Sequence, residues 1–164
     1  MGSLREVFSF PHPVNEYAAR TVATIVAALA ILTIAFDLAW MLPVLVYGFA
    51  ARVLTGPTLS PLGQLATRVL VPSLNLPYKE AAGPPKRFAQ TVGLIFTATA
   101  TVLYFSAGLA VAAYSVMSVL VVFALLESLV GFCAGCFVFA QLMRIGLVPE
   151  ETCEKCNNLS SGGA

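Results

Sequence analysis

The sequence predicts an all-α integral membrane protein, a bundle of four transmembrane helices. Of the 164 residues, 59% are hydrophobic and only 10% are charged, and the mean hydropathy is +0.87. Soluble domains carry about a quarter charged residues, so this chain has too little charge to cover a globular surface in water. The sequence has no basic block of the kind that binds nucleic acid. We therefore expect the lipid bilayer to surround most of the polypeptide.

The first two spans are predicted at residues 17–36 and 38–54, separated by Asp37. A single helix through both segments would be about 46 Å long, too long for one upright crossing of a hydrocarbon core about 30 Å thick. A helical hairpin fits better. It requires that Arg20 and Arg52 extend their side chains towards the lipid headgroups.

The last two spans are predicted at residues 88–107 and 110–132, the second of which extends to residue 145. Glu127 is the only charged residue between Arg87 and Arg144. The apolar stretch is long enough for two spans of about 20 residues each. The small residues between the two predicted spans suit a reversal of the chain.

Polar segments surround these spans. Residues 58–75, between the second and third spans, have the leucine and valine spacing of a short helix that lies on the inner membrane surface. Pro84 and Pro85 predict a break just before the third span. Residues 1–16 form a cytoplasmic lead-in. Residues 146–164 form a cytoplasmic tail that we expect to be mobile.

The charge distribution predicts the orientation. With four spans and an N-terminus inside the cell, all nine Lys and Arg residues fall on the cytoplasmic side, where such residues are enriched. The outer turns carry only Asp37. The rings of Trp40, Tyr104 and Tyr114 fall near the outer interface, where amphipathic rings prefer to lie. We predict a multi-pass protein of the inner cell membrane with both termini in the cytoplasm.

Four cysteines form two C-x-x-C pairs, Cys133 with Cys136 and Cys153 with Cys156. On a helix, Cys133 and Cys136 would share one face and could form a redox dithiol at the inner edge of the membrane. Because the cytoplasm is reducing, such pairs favour transient thiol chemistry or metal binding over permanent disulfides. The redox interpretation needs no cofactor. In the alternative interpretation, all four thiols are candidate ligands of Zn or Cu. Alternatively, Cys133 and Cys136 only pack as small apolar residues.

Glu127 is the one ionisable residue within the last two predicted spans. A carboxylate in hydrocarbon is costly, so this one must be protonated or paired. Its candidate roles are proton handling and a hydrogen bond between helices. On an ideal helix it points about 120° from Cys133 and about 180° from Cys136, so it is a poor base for those thiols unless the helix breaks at Gly131.

Three segments are distinctive: SPLGQLATRVLVP (60–72), PPKRFAQTVGLIF (84–96) and GFCAGCF (131–137). With them, the chain from about residue 14 to residue 145 resembles the bacterial integral membrane family catalogued as domain of unknown function 4395. The resemblance places the family's GFCxGC pair at Cys133 and Cys136, and it implies a polar amide where this chain has Glu127. Some family members are encoded beside thioredoxin-like or sulfurtransferase proteins, which implies sulfur or thiol traffic by analogy.

Three functions remain open at this point. The first is thiol–disulfide exchange or persulfide transfer at the cytoplasmic membrane face, with a soluble thioredoxin-like or sulfurtransferase partner. The second is binding or transport of a soft metal. The third is a structural role in a homo-oligomer or a larger membrane complex, which the close packing of Gly- and Ala-rich helices would favour. The sequence names no substrate and leaves open whether the protein is an enzyme.

Overall fold

The computed structural model of the protein describes residues 13–149. About 75% of these described residues are helical, which confirms the predicted all-α class. The helices are α1 (Glu16–Ala35), α2 (Met41–Thr55), α3 (61–73), α4 (Gly83–Phe105), α5 (Ala110–Leu125) and α6 (Ala134–Arg144). Two short strands, β1 (Val14–Asn15) and β2 (Glu80–Ala81), pair antiparallel next to the start of α1.

Helix α1 has a well-defined beginning and a single buried face. The side chain of Asn15 accepts a hydrogen bond from the backbone N–H of Tyr17 at 3.0 Å, so it satisfies one of the free donors of the first turn. Glu16 adds a negative charge at the same end, where the helix dipole favours it. The buried side chains recur every three or four residues and so form one stripe: Ala18, Val22, Val26, Ala30 and Thr33.

Helices α1, α2, α4 and α5 run up and down between the same two ends of a bundle. At one end, the turn between α1 and α2 places Asp37 beside Tyr104 of α4 and Tyr114 of α5, and both hydroxyls donate to its carboxylate. We call these three residues the tyrosine end. At the other end, Lys86 near the start of α4 pairs with Glu127, just beyond α5.

We call the opposite end of the bundle, which includes Arg20, Arg52, Lys86 and Glu127, the charged end. Arg20 lies in the first turns of α1 and Arg52 in the last turn of α2. The described part of the chain therefore separates its polar groups between two ends, with an apolar body between them.

The interior of the bundle combines large apolar side chains with small ones, and its surface is apolar. Ala30, Ala100 and Ala113 are completely buried, which lets the helices approach closely. In contrast, Ile95 and Val111 are 59% and 83% exposed. Few large apolar side chains are so exposed in a protein that is surrounded by water. This arrangement fits a protein whose solvent is lipid.

Three helices are long and apolar enough to cross a membrane: Glu16–Ala35, Gly83–Phe105 and Ala110–Val130. They indicate a multi-pass membrane protein. The second predicted span is shorter than the others, because α2 has 15 residues and covers only about 22 Å. Among the described residues, three of the four predicted spans are therefore long enough to cross, and a fourth crossing by α2 stays a prediction.

The positions where helices α4 and α3 begin follow from the residues in their first turns. Helix α4 starts at Gly83 rather than at residue 88, because Pro84 and Pro85 lie in its first turn, where a missing backbone N–H costs nothing. Helix α3 lies within residues 58–75, where the sequence predicted a helix on the membrane surface; its position at that surface stays a prediction. It begins at Ser60, whose hydroxyl accepts from the N–H of Gly63 at 3.2 Å.

Candidate functional site

The helix that carries Glu127 breaks immediately before the cysteine pair. Helix α5 passes into a π-helical turn, Leu126–Val130, and Gly131 then adopts a left-handed backbone with φ of 76°. Glycine takes this conformation without the steric cost that a Cβ would impose. The extension of the fourth span to residue 145 is therefore not one continuous helix: α6 is a separate helix that starts beyond the break. Single π-helical turns are frequent at functional sites.

Arg20 of α1 stabilises this break from across the bundle. Its guanidinium donates to the carbonyl oxygen of Ser128 at 3.2 and 3.4 Å and to that of Leu129 at 3.2 Å. The last carbonyls of a helix lack intrahelical partners, and a cation there also opposes the negative end of the helix dipole. Arg20 thus acts as a cap for α5, within the protein rather than among lipid headgroups.

Cys133 is the N-cap of α6, and Cys136 lies in its first turn. The sulfur of Cys133 accepts a hydrogen bond from the backbone N–H of Cys136 at 3.3 Å. Both residues are free thiols and are partly buried. The expectation that they share the face of a continuous helix is thus corrected: Cys133 precedes the helix, and the backbone N–H of Cys136 points at its sulfur.

The two thiols differ in acidity because one donates to the other. The hydrogen bond from the Cys136 thiol lowers the pKa of Cys133, with further help from Lys86 and the backbone N–H of Cys136. Burial and the carboxylate of Glu127 act in the opposite direction. The same bond raises the pKa of Cys136, and burial adds to that rise. The geometry therefore makes Cys133 the more acidic thiol of the pair.

Close backbone contact fixes the position of α6. A Cβ added at Gly135 would lie 2.6 Å from the Cα and Cβ of Ala89 in α4, closer than real Cβ atoms approach. One turn further on, the ring of Phe139 packs against that of Phe88 with centroids 5.7 Å apart. Gly135, the second of the two residues between the cysteines, thus sets how near α6 comes to α4.

Glu127 is paired, as the cost of a buried carboxylate requires. Lys86 Nζ lies 2.6 Å from its Oε1, and the side chains are only 9% and 14% exposed. Because the helix breaks after Glu127, this ion pair comes near enough to the thiols to act on their charge. On an ideal continuous helix the Glu127 side chain would point away from the cysteines, and the break in the helix removes that separation.

Arg52 is the second buried cation of this region, with 5% of its surface exposed. Its Nε donates to Gln90 Oε1 at 2.7 Å and a terminal nitrogen donates to Ser60 Oγ at 3.3 Å. The guanidinium also lies over the ring of Phe49, 4.5 Å from its centroid. The expectation that this arginine reaches out to headgroups is wrong, because protein groups surround it.

The buried charges of the charged end do not balance. Arg52 and Lys86 are two buried cations, and Glu127 is the carboxylate that acts on both. Among residues 13–149, Arg52 has no carboxylate within 4.0 Å. At Cys133 itself, the carboxylate of Glu127 opposes the thiolate more strongly than the ammonium of Lys86 favours it.

Two cavities meet at Arg52. The first, about 280 Å³, is lined by Glu127 and Cys133. The second, about 360 Å³, lies against the start of α1 and is lined by Lys86 and Tyr78. Val22, Arg52 and Gln90 contribute to both. The thiol pair thus lies beside space that a small ligand could occupy.

The sequence-predicted site is only partly within the described residues. The structure brings Cys133, Cys136 and Glu127 together, whereas Cys153 and Cys156 lie outside residues 13–149. Within that range, no group of three or more His, Cys, Asp and Glu side chains could hold a metal ion. Zn or Cu binding by all four thiols stays a prediction.

Sequence reasoning missed four polar residues of this site: Arg20, Arg52, Lys86 and Gln90. The available signal was Glu127, because an acid within an apolar span needs a cation and Lys86 opens the neighbouring span. For Arg20 and Gln90 the sequence carried no comparable signal.

Comparison with known proteins gives one positive finding. The family model described as "Domain of unknown function (DUF4395)" matches residues 14–144, which include every residue of the site described above. The chain matches no curated protein and no solved structure significantly.

Proposed function

The chain belongs to the DUF4395 family, and we propose that it exchanges disulfides at one face of a membrane, with Cys133 and Cys136 as its reactive pair. The Cys133 thiolate attacks a disulfide of a soluble partner, forms a mixed disulfide and releases one partner thiolate. Cys136 then attacks the Cys133 sulfur and releases the second partner thiol. The pair is oxidised to a disulfide, and the partner gains two electrons and becomes a dithiol.

One observation carries this proposal: Cys133 caps the N-terminus of a helix in a C-x-x-C motif. Thiols in such a position have a lowered pKa and are nucleophilic, whereas buried structural cysteines are inert. The hydrogen bond from the N–H of Cys136 and the nearby ammonium of Lys86 both favour the thiolate. The raised pKa of Cys136 suits a resolving thiol, because it stays protonated until the mixed disulfide has formed.

A pair of exposed rings next to the thiols supports a soluble partner. Phe132 and Phe137 are 44% and 52% exposed, and their ring centroids lie 5.8 Å apart. They flank the two cysteines in the sequence. Exposed aromatic side chains are typical anchors of transient protein contacts. We propose that a thioredoxin-like or sulfurtransferase protein docks here.

Charge segregation supports a cytoplasmic position for this pair. Under the positive-inside rule, the end with Arg20, Arg52 and Lys86 faces the cytoplasm and the end with Asp37 faces outwards. In this arrangement the chain crosses the inner cell membrane four times, α3 lies on the cytoplasmic surface, and both termini are inside. Helix α2 then crosses through local thinning of the bilayer, which costs little per ångström.

Persulfide transfer is a second candidate, favoured by the backbone N–H of Cys136, which donates to the sulfur of Cys133. In this reaction, Cys133 takes the outer sulfur of a donor persulfide, the donor leaves as a thiol, and no oxidant is needed. The N–H of Cys136 and the ammonium of Lys86 would stabilise the persulfide anion on Cys133.

A trapping experiment tests disulfide exchange. In a Cys153→Ser, Cys156→Ser background, each remaining cysteine is mutated in turn. The probe is a single-cysteine thioredoxin-like protein carried as its nitrothiobenzoate disulfide. The Cys136→Ser variant is expected to release nitrothiobenzoate and keep a stable mixed disulfide through Cys133. Cys133→Ser is expected to react far more slowly. Equal rates for the two variants, or no reaction with either, would contradict the proposal.

A further inference from the structure

The 280 Å³ cavity beside Cys133 is mostly apolar and lies within the bundle. Its walls come from α1, α2, α4, α5 and α6, and three aromatic rings contribute to them: Phe49, Phe88 and Phe123. Its volume is close to the lower end of the range for ligand pockets, roughly 300–1,000 Å³. A single six-membered ring with small substituents would find aromatic and aliphatic surfaces around it.

Polar groups line the same cavity and include the reactive sulfur. Cys133, Glu127, Arg52 and Gln90 all contribute to the lining. Gln90 accepts the Arg52 hydrogen bond through Oε1, which leaves its amide nitrogen to donate elsewhere. A ligand with carbonyl oxygens could therefore accept hydrogen bonds within the cavity and reach the thiol.

The rim of the cavity faces the apolar surface of the protein. Phe123 and Val138 line it and are 37% and 46% exposed. Phe123 belongs to the membrane-spanning candidate Ala110–Val130, and its neighbour Val122 is 54% exposed. The cavity thus opens where lipid chains would contact the bundle, so its natural ligand would arrive from the bilayer rather than from water.

We propose that this cavity binds the ring of a lipid-soluble quinone, which takes the electrons of the Cys133–Cys136 dithiol. The inference rests on the proposed thiol–disulfide exchange, run in the direction in which a reduced partner converts the Cys133–Cys136 disulfide back to the dithiol and is itself oxidised to a disulfide. The quinone is the electron acceptor for that direction. Oxidation of a dithiol releases two electrons and two protons, and a quinone accepts both on reduction to a quinol. Its ring fits the aromatic walls, its oxygens suit Arg52 and Gln90, and its chain can leave through the rim at Val138 into lipid.

The reaction balances without a further reagent. The Cys133 thiolate adds to a ring carbon, which forms a carbon–sulfur bond, and the quinone oxygen takes a proton. Cys136 then attacks the Cys133 sulfur, so the carbon–sulfur bond breaks and its electron pair stays on the ring. A second proton gives the quinol. The dithiol has lost two electrons and two protons, and the quinone has gained them.

The test uses the Cys153→Ser, Cys156→Ser protein in lipid vesicles, with the Cys133–Cys136 pair reduced. A short-chain ubiquinone analogue is added, and quinone absorbance and free thiols are followed together. One quinol is expected for each disulfide formed. Val138→Trp should fill the rim and slow this reaction about tenfold or more. Val119→Trp is the matched control, because Val119 is 43% exposed on α5 and does not line the cavity.

The disulfide probe separates the two proposals. Both tryptophan variants should react with the soluble mixed-disulfide probe at the unmodified rate, which also shows that they are folded. If the quinone leaves the dithiol reduced while the probe reacts, the quinone site is wrong and disulfide exchange stands. If neither reagent reacts, both proposals fail. If Val138→Trp and Val119→Trp reduce quinone equally fast, quinone binding in this cavity is overturned.

Discussion

The two ends of the helical bundle reverse the chain in different ways. At the tyrosine end, short turns join α1 to α2 and α4 to α5, and exposed hydroxyls of Tyr104 and Tyr114 donate to Asp37. At the charged end, Glu127 is buried with Lys86, and the helix breaks at Gly131 before the chain continues into α6. One end is a simple connection, whereas the other contains ionised groups, cavities and an interrupted helix.

The difference indicates where the molecule accepts energetic cost. Taking ions such as Lys86 and Glu127 out of water costs several kcal/mol per ion, by order of magnitude, before their attraction compensates it. A bundle built only for stability would use apolar side chains there. Departures from local rules collect at functional sites, and here the broken helix, the buried ions and the thiols of Cys133 and Cys136 coincide.

The largest expected effect comes from breaking the ion pair of the charged end. Lys86→Met leaves the Glu127 carboxylate buried without its cation, which should cost about 3–5 kcal/mol of stability. Thermal unfolding in detergent measures this loss. Adding Glu127→Gln in the same chain removes the stranded charge and should restore much of the stability. If the Lys86→Met variant were as stable as the unmodified protein, the stabilising role of the Lys86–Glu127 ion pair would be contradicted.

A somewhat smaller effect is expected at the contact that positions α6. Gly135→Ala places a Cβ 2.6 Å from the backbone of Ala89, so α6 must shift, at a cost of about 1–3 kcal/mol. The alkylation rate of Cys133 should fall as its surroundings change. Gly108→Ala is the control at the tyrosine end: it has no atoms within 4 Å and costs only left-handed backbone strain, about 1 kcal/mol. If Gly135→Ala and Gly108→Ala changed the alkylation rate of Cys133 equally, the role of the Gly135 contact in positioning α6 would be contradicted.

The thiol pair predicts a distinct pH dependence. Because the pKa of Cys133 is lowered, its thiolate should persist at pH values below about 8.5, the ordinary thiol range. Cys136→Ala removes the donor that contributes most, so the alkylation profile of Cys133 should move to higher pH. Cys136→Ser keeps a hydroxyl donor and should stay nearer to the original profile. The pH profiles of Cys133 alkylation are measured with a maleimide. If the Cys136→Ala and Cys136→Ser variants gave the same profile, this mechanism would be contradicted.

The smallest effect is expected at the tyrosine end. Asp37→Asn keeps an oxygen that accepts from Tyr104 and Tyr114 in an exposed position, so the loss should stay below about 1 kcal/mol. The same unfolding measurement checks it, and the alkylation rate of Cys133 should not change. A loss as large as that of Lys86→Met would erase the contrast between the two ends.

Local patterns predicted the parts of this fold that depend on neighbouring residues. Hydrophobic length gave the helical segments, and small residues marked the turn where Gly108 has φ of 68°. The C-x-x-C spacing indicated Cys133 and Cys136 as a candidate redox dithiol, which stays a prediction. The cost of a buried carboxylate required that Glu127 be neutral or paired, and it is paired.

Long-range contacts account for what the sequence could not predict. Arg20 caps carbonyls at Ser128 and Leu129, which are more than 100 residues away in the chain, so no local pattern connects them. Arg52 was expected near headgroups because an isolated arginine at a helix end usually extends there. Gln90 offers it a buried partner that only the packing of α2 against α4 reveals.

Equilibration of the native membrane protein in glutathione buffers of graded potential tests the central claim most directly. In the Cys153→Ser, Cys156→Ser background, the thiols of Cys133 and Cys136 are counted by gel shift after alkylation. The account predicts that both thiols disappear together and reversibly, as one two-electron couple. Two thiols that stay free at every potential, or that react with glutathione independently without joining each other, would contradict it.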